Sequence, residues 1–209
     1  MPEPDQLCER KAAFEARAEQ YLRLGYDRFA AADFVAAAAG RLTGPALDIG
    51  TGRGITALAL VRQGLDVVSV DTDADGQNLA SLLAAEAGLK DRMRFLQGDA
   101  ADLPYSKDYF GCATMMDVLH HLKDPMPVLE ETARVLKPSG IFILAEFTPE
   151  GFELVSRVHQ EEGRNHPVSG VTLKSAEALL SGRVFEIAGR RSGHKHEVIV
   201  FRKKTGIRP

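Results

Sequence analysis

The segment Leu47-Asp48-Ile49-Gly50-Thr51-Gly52-Arg53-Gly54 holds the residues whose types and spacing most directly imply chemistry. Its three glycines alternate with other residues where an apolar, strand-like run gives way to a helical pattern. Glycine opens backbone angles closed to other residues and removes the Cβ that keeps a ligand away from the chain. The dinucleotide fingerprint needs glycines at relative positions one, three and six. Here they stand at positions one, three and five, with Ile55 at the sixth, which speaks against a pyrophosphate cradle and an NAD-linked oxidoreductase. Asp48 adds a carboxylate beside the loop, which favours a ligand carrying sulfonium or ammonium charge over one carrying phosphates.

Further motifs follow in order. Asp71 closes the β-branched run Val67-Val68-Ser69-Val70, twenty-one residues after Gly50, and Thr72 adjoins it. Gly98-Asp99-Ala100 follows a third strand pattern, and Phe110 to Leu122 joins a fourth, ending at Met115-Met116, to the turn Leu119-His120-His121-Leu122. Arg134-Val135-Leu136-Lys137-Pro138-Ser139-Gly140 precedes a fifth. With its acidic-x-Gly-x-Gly-x-Gly motif and these later segments, the sequence over residues 40–147 resembles the class I S-adenosylmethionine-dependent methyltransferases of Rossmann-like, small-molecule type.

The resemblance implies S-adenosylmethionine as cofactor and S-adenosylhomocysteine as product. It implies cofactor contacts from Asp48, Gly50, Thr51, Gly52 and Gly54, from Asp71 and Thr72 at the ribose, and from Asp99 and Ala100 at the adenine. Met115 and Met116 would touch the cofactor through backbone and thioether, or else serve the core. Many relatives carry a polar residue where Met116 stands, so an acceptor held there by a side-chain amide is not expected.

Methyl transfer needs in-line alignment and exclusion of water rather than a protein nucleophile. A hydroxyl or ammonium acceptor also needs a base. His120, His121, Asp117 and Glu146 follow strand ends where one would sit, Glu146 being the best placed to face an acceptor, although the His pair reads first as structural. Thr148 to Gly170 is expected to carry acceptor specificity and contains His159 and His166. Compact ligand spacing such as His-x3-His is absent among these, so no metal is expected. His194 and His196, beside Arg190, Arg191 and Lys195, read as a solvated charge cluster. A protein that binds S-adenosylmethionine without turnover is the alternative.

The elements that must position these residues alternate. Helices are predicted over 5–24 and 26–39, able to cap a pocket or merely cover a sheet. Strand and helix then alternate from Ala46, which predicts an α/β fold with a doubly wound, mostly parallel seven-stranded sheet, helices on both faces and a C-terminal antiparallel hairpin. Ser192-Gly193 marks the hairpin turn, and Lys137 to Gly140 a turn before the fifth strand. Residues 1–209 read as one domain: a helical cap over 1–40, a cofactor-binding core over 41–147, and an acceptor-side segment with the hairpin over 148–209.

With 209 residues, 44% of them hydrophobic, the chain suffices for one core, and its net charge of −3 disfavours a nucleic-acid binder. The stretch from 183 to 209 is locally basic, with eight Lys/Arg against two Asp/Glu, and reads as a solvated hairpin and tail. Two cysteines, no basic-then-apolar leader and no apolar span of about 20 residues predict a cytoplasmic protein without membrane segments, acting on a small-molecule acceptor.

Overall fold

The computed structural model describes residues 4–163, 168–182 and 184–206. Among them the strands are β1 (Ala46–Ile49), β2 (Val67–Asp71), β3 (Met93–Gln97), β4 (Phe110–Met116), β5 (Leu136–Phe147), β6 (Phe185–Gly193) and β7 (His196–Lys203). They form one seven-stranded sheet in the order β3-β2-β1-β4-β5-β7-β6. β1 to β5 pair in parallel, while β7 lies antiparallel between β5 and β6. The expected sheet and terminal hairpin are present.

The helices are α1 (Pro4–Arg23), α2 (Arg28–Ala36), α3 (Ile55–Arg62), α4 (Ala74–Glu86), α5 (Met126–Val135), α6 (Pro149–Glu161) and α7 (Leu173–Leu180). Side chains start several of them by accepting free backbone N–H groups, as Asp27 does from Phe29 and Ala30, and Thr148 from Gly151. Thr172 and Ser175 form a reciprocal capping box at α7.

Period-two side-chain alternation divides the core between the faces of the sheet. Ile143, Val198 and Val200 face the layer that includes Val35, Leu58 and Leu60 of α2 and α3. Phe142, Leu144, Ile199 and Phe201 face the layer that includes Leu129 of α5 and Ala176 of α7. Phe110, Phe142, Phe185 and Phe201 are fully buried there, each worth about 1.5–3 kcal/mol in area removed from water. A third cluster joins Tyr21, Tyr26 and Ala31 to Leu154, Val155 and Val158 of α6, with Phe147 packed against it. The N-terminal helices and α6 thus meet over the carboxyl ends of β4 and β5.

Two turns fall elsewhere than predicted. The residues 137–140 lie within β5 as a bulge: Leu136 pairs with Phe110, the register then shifts, and Ile141 pairs with Cys112. The β6–β7 turn is His194-Lys195, both at positive φ, the conformation a two-residue hairpin favours. Gly193 is still paired with His196, and a Cβ there would lie 3.1 Å from the Phe34 ring.

The third glycine of the loop serves packing. Gly54 has φ +77°, and a Cβ there would lie 2.8 Å from the Ala80 Cβ of α4. Gly52, at φ +49°, has open space around it. We expect Gly54→Ala to cost about 2–4 kcal/mol through overlap plus strain, and Gly52→Ala about 1–2 kcal/mol through strain alone, as read from urea unfolding midpoints.

Candidate functional site

The strand order reverses between β1 and β4, and a cavity of about 620 Å³ opens there at the carboxyl ends, a volume typical of small-molecule sites. One half is floored by the glycine loop. Gly50, Thr51, Gly52, Asp71, Thr72, Asp99 and Ala100 all line it. Gly50 has φ +83°, and the side chain of Val118 fills the space a Cβ would need. Asp71 accepts from the backbone N–H groups of Gly52 and Asp73, each at 2.9 Å, which fixes the carboxylate at the edge of the loop. Asp99 accepts from Ala101 N at 2.8 Å in a short turn. Asp71, Asp73 and Asp99 give this half an acidic lining.

Asp48, Gly54 and Met115, which the resemblance gives as cofactor contacts, are not among the residues that line the cavity. Met115 is buried in the core on the α5 side of the sheet. Asp48 lies beneath the loop, accepting from Ser69 Oγ at 2.7 Å and from Thr114 Oγ1 at 3.2 Å. Met116 does line the cavity, its sulfur 3.5 Å from Thr56 Oγ1.

The other half is walled by Tyr21, Tyr26, Phe147 and Val155, with Arg28, Asp117, His121 and His159 around it. Sequence reading did not single out the two tyrosines, because nothing local marks which face of the leading helices covers a site. His166 lies outside the described residues. Glu146, expected to face an acceptor, is buried and takes no part in the lining. Its carboxylate accepts from Phe147 N at 3.0 Å and His120 N at 3.2 Å and lies 2.8 Å from His120 Nδ1. The pair fixes the turn after β4 to the end of β5. Burial and the neighbouring His120 hold the His121 imidazole below its ordinary pKa.

His196 also departs from expectation: it is fully buried, not solvated. Its Nε2 lies 3.0 and 3.1 Å from the two oxygens of Asp117, and its Nδ1 lies 2.8 Å from the carbonyl of His194. Phe147 and Tyr26 pack against the ring. Asp117 itself has φ +58°, an uncommon conformation for a side chain other than glycine. Among the described residues, no group of three His, Cys, Asp or Glu is arranged to hold a metal ion, and no helix is long and apolar enough to cross a membrane.

Residues 47–144 match a family described as a methyltransferase domain. That segment, together with the switch-point cavity and its acidic lining, resembles the class I S-adenosylmethionine-dependent methyltransferases. Over 139 residues it is 37% identical to an uncharacterized methyltransferase, YcgJ, of Bacillus subtilis, covering 65% of this chain and 54% of that protein. The YcgJ crystal structure has the same fold, with TM-score 0.63 and 22% identity over 85% of this chain and 98% of that one. A demethylmenaquinone methyltransferase of Clavibacter sepedonicus is 32% identical, covering 53% of this chain and 44% of its own. The fold is shared by the cyclase SpnF, at TM-score 0.67 and 20% identity over 86% of this chain and 82% of that one. The chain spans about half the length of these curated relatives.

Burial raises the Asp48 carboxyl to about 7, against opposing hydrogen bonds from Ser69 and Thr114. A carboxyl whose pKa is raised on folding favours the native state at low pH. That contribution declines as pH rises from the unfolded value near 3.8 to about 7 and is absent above it. Asp48→Asn is therefore expected to stabilise the ligand-free protein at pH 8 by roughly 2–4 kcal/mol, with no gain at pH 4, as measured by unfolding at both values.

Proposed function

We propose that the protein transfers the methyl group of S-adenosylmethionine to a small organic acceptor, acting as a single domain over 1–209 with its helical cap at 1–40, cofactor core at 41–147 and acceptor side at 148–209. The observation that carries this is the continuity of the acidic, glycine-floored half of the cavity with the aromatic half. The residues present fit the cofactor. Asp71 keeps lone pairs for ribose hydroxyls, Asp99 stands at the edge where an adenine amine would donate, and the acids favour a cation. When bound, S-adenosylmethionine supplies an electrophilic methyl carbon on a cationic sulfur.

This chain's residues then have three tasks. Gly50 and Gly52 let the backbone approach the ligand, Asp71 and Asp99 orient it, and Tyr21, Tyr26, Phe147 and Val155 exclude water around the acceptor. The relative named as a demethylmenaquinone methyltransferase supports an acceptor of small-molecule size. Free thiols at Cys8, which is exposed, and Cys112 fit a reducing cytoplasm.

Calorimetric titration tests the reading. S-adenosylhomocysteine should bind the native protein saturably and Asp71→Ala at least about tenfold more weakly, a loss of about 1.4 kcal/mol or more. NAD should not bind either. NAD binding without S-adenosylhomocysteine binding would overturn the assignment.

A further inference from the structure

We propose, resting on the methyl-transfer reading above, that Asp117, held in place by the buried His196, takes the proton from a ring hydroxyl as that oxygen is methylated. The hydrogen-bond partners of His196 carry the first step. Its Nδ1 faces the His194 carbonyl, which only accepts, so Nδ1 bears a proton. Its Nε2 faces both oxygens of Asp117. The pair therefore holds one proton between Nε2 and the carboxylate and is neutral overall, whichever partner carries it.

Only Asp117 of the two is open to the cavity, its side chain being 23% exposed where that of His196 is fully buried. It sits one residue beyond β4, beside the loop that follows β1, and the aromatic wall of Tyr26 and Phe147 packs on its partner. It thus stands where the cofactor half meets the acceptor half. Its left-handed backbone is held against local preference, a cost that recurs at functional positions.

A neutral pair in an aromatic enclosure suits a neutral, flat acceptor better than an ammonium. A neutral hydroxyl is a poor nucleophile that must lose its proton as it is methylated. The acceptor oxygen forms a bond to the methyl carbon while the carbon–sulfur bond breaks, its electron pair remaining on sulfur. With the shared proton on His196 Nε2, the hydroxyl proton passes to the Asp117 carboxylate and then to solvent, so the sulfonium charge leaves as that proton. His196 is a positioning residue. Facing Asp117 are also Glu146 from β5, His120 from the turn after β4 and Tyr26 from the α1–α2 connection. Burial raises the Asp117 carboxyl above its ordinary value and His196 opposes that rise.

Catechol is the probe acceptor, with S-adenosylmethionine as donor, and S-adenosylhomocysteine affinity is measured in parallel. The native protein should form the O-methyl product with an acid limb in its pH profile. Asp117→Asn should lose about 100-fold or more in kcat while binding S-adenosylhomocysteine within threefold of native. His196→Gln should move the acid limb upward by about one pH unit, since the opposing charge is gone. In the protein without ligands, the His196 ring nitrogens followed by NMR should titrate at lower pH in Asp117→Asn. Native protein that binds S-adenosylhomocysteine yet leaves catechol unmethylated, an Asp117→Asn variant within threefold of native, or an unmoved His196 titration would each overturn the assignment. Failure of the native protein to bind S-adenosylhomocysteine would instead remove the methyl-transfer reading beneath it.

Discussion

Asp48 stands in β1 with the hydroxyl of Ser69 from β2 on one oxygen and that of Thr114 from β4 on the other. A carboxyl with no access to water is costly unless its oxygens are satisfied, so these two hydroxyls must face it and the three strands must keep their register. Ser69 Oγ is also 2.8 Å from Thr51 Oγ1, and Gln77 reaches from α4 to Thr51 at 3.3 Å and to the Leu96 carbonyl of β3 at 2.7 Å. The glycine loop is therefore fastened from below by side chains of β2 and α4. A slip of one residue between β1 and either neighbour would turn Ser69 or Thr114 to the opposite face and leave the carboxyl unpaired.

The segments singled out in the sequence that do line the cavity are those written within a few residues of one another. The glycine loop, the acid ending β2 and the Gly98-Asp99-Ala100 turn each combine a strand end with a local signal. The same locality misled at Glu146. A carboxylate at the end of a strand looks acceptor-facing until His120, twenty-six positions away, is found to claim it. His196 was lost for a related reason. Its neighbours in sequence are Arg190, Arg191 and Lys195, all of a surface hairpin, whereas its partner Asp117 is 79 positions earlier. Basic neighbours report the exposed face of a strand, and period two places the next residue inside. The bulge in β5 escaped similarly, since Lys-Pro-Ser-Gly is a turn by composition and only the pairing of Leu136 with Phe110 extends the strand across it.

The two halves of the cavity are built by different means. The glycine-loop floor is sheet-bound and hydrogen-bonded to the core. The aromatic wall is mainly helical, a small cluster of Tyr21, Tyr26, Val155 and their neighbours, braced outside by ion pairs such as Arg17–Glu162 at 2.6 Å. Such surface pairs contribute about 0–1 kcal/mol each and weaken with salt.

β7 is the last strand in chain order yet lies inside the sheet, between β5 and β6. As the chain is synthesised from its N-terminus, the glycine loop, Asp71 and the Gly98-Asp99-Ala100 turn are present once residue 100 has been made, whereas His196 arrives some hundred residues later. β6, made earlier, has no place in the sheet until β7 fills the gap beside β5. The segments that floor the cavity are thus made well before the imidazole that braces Asp117.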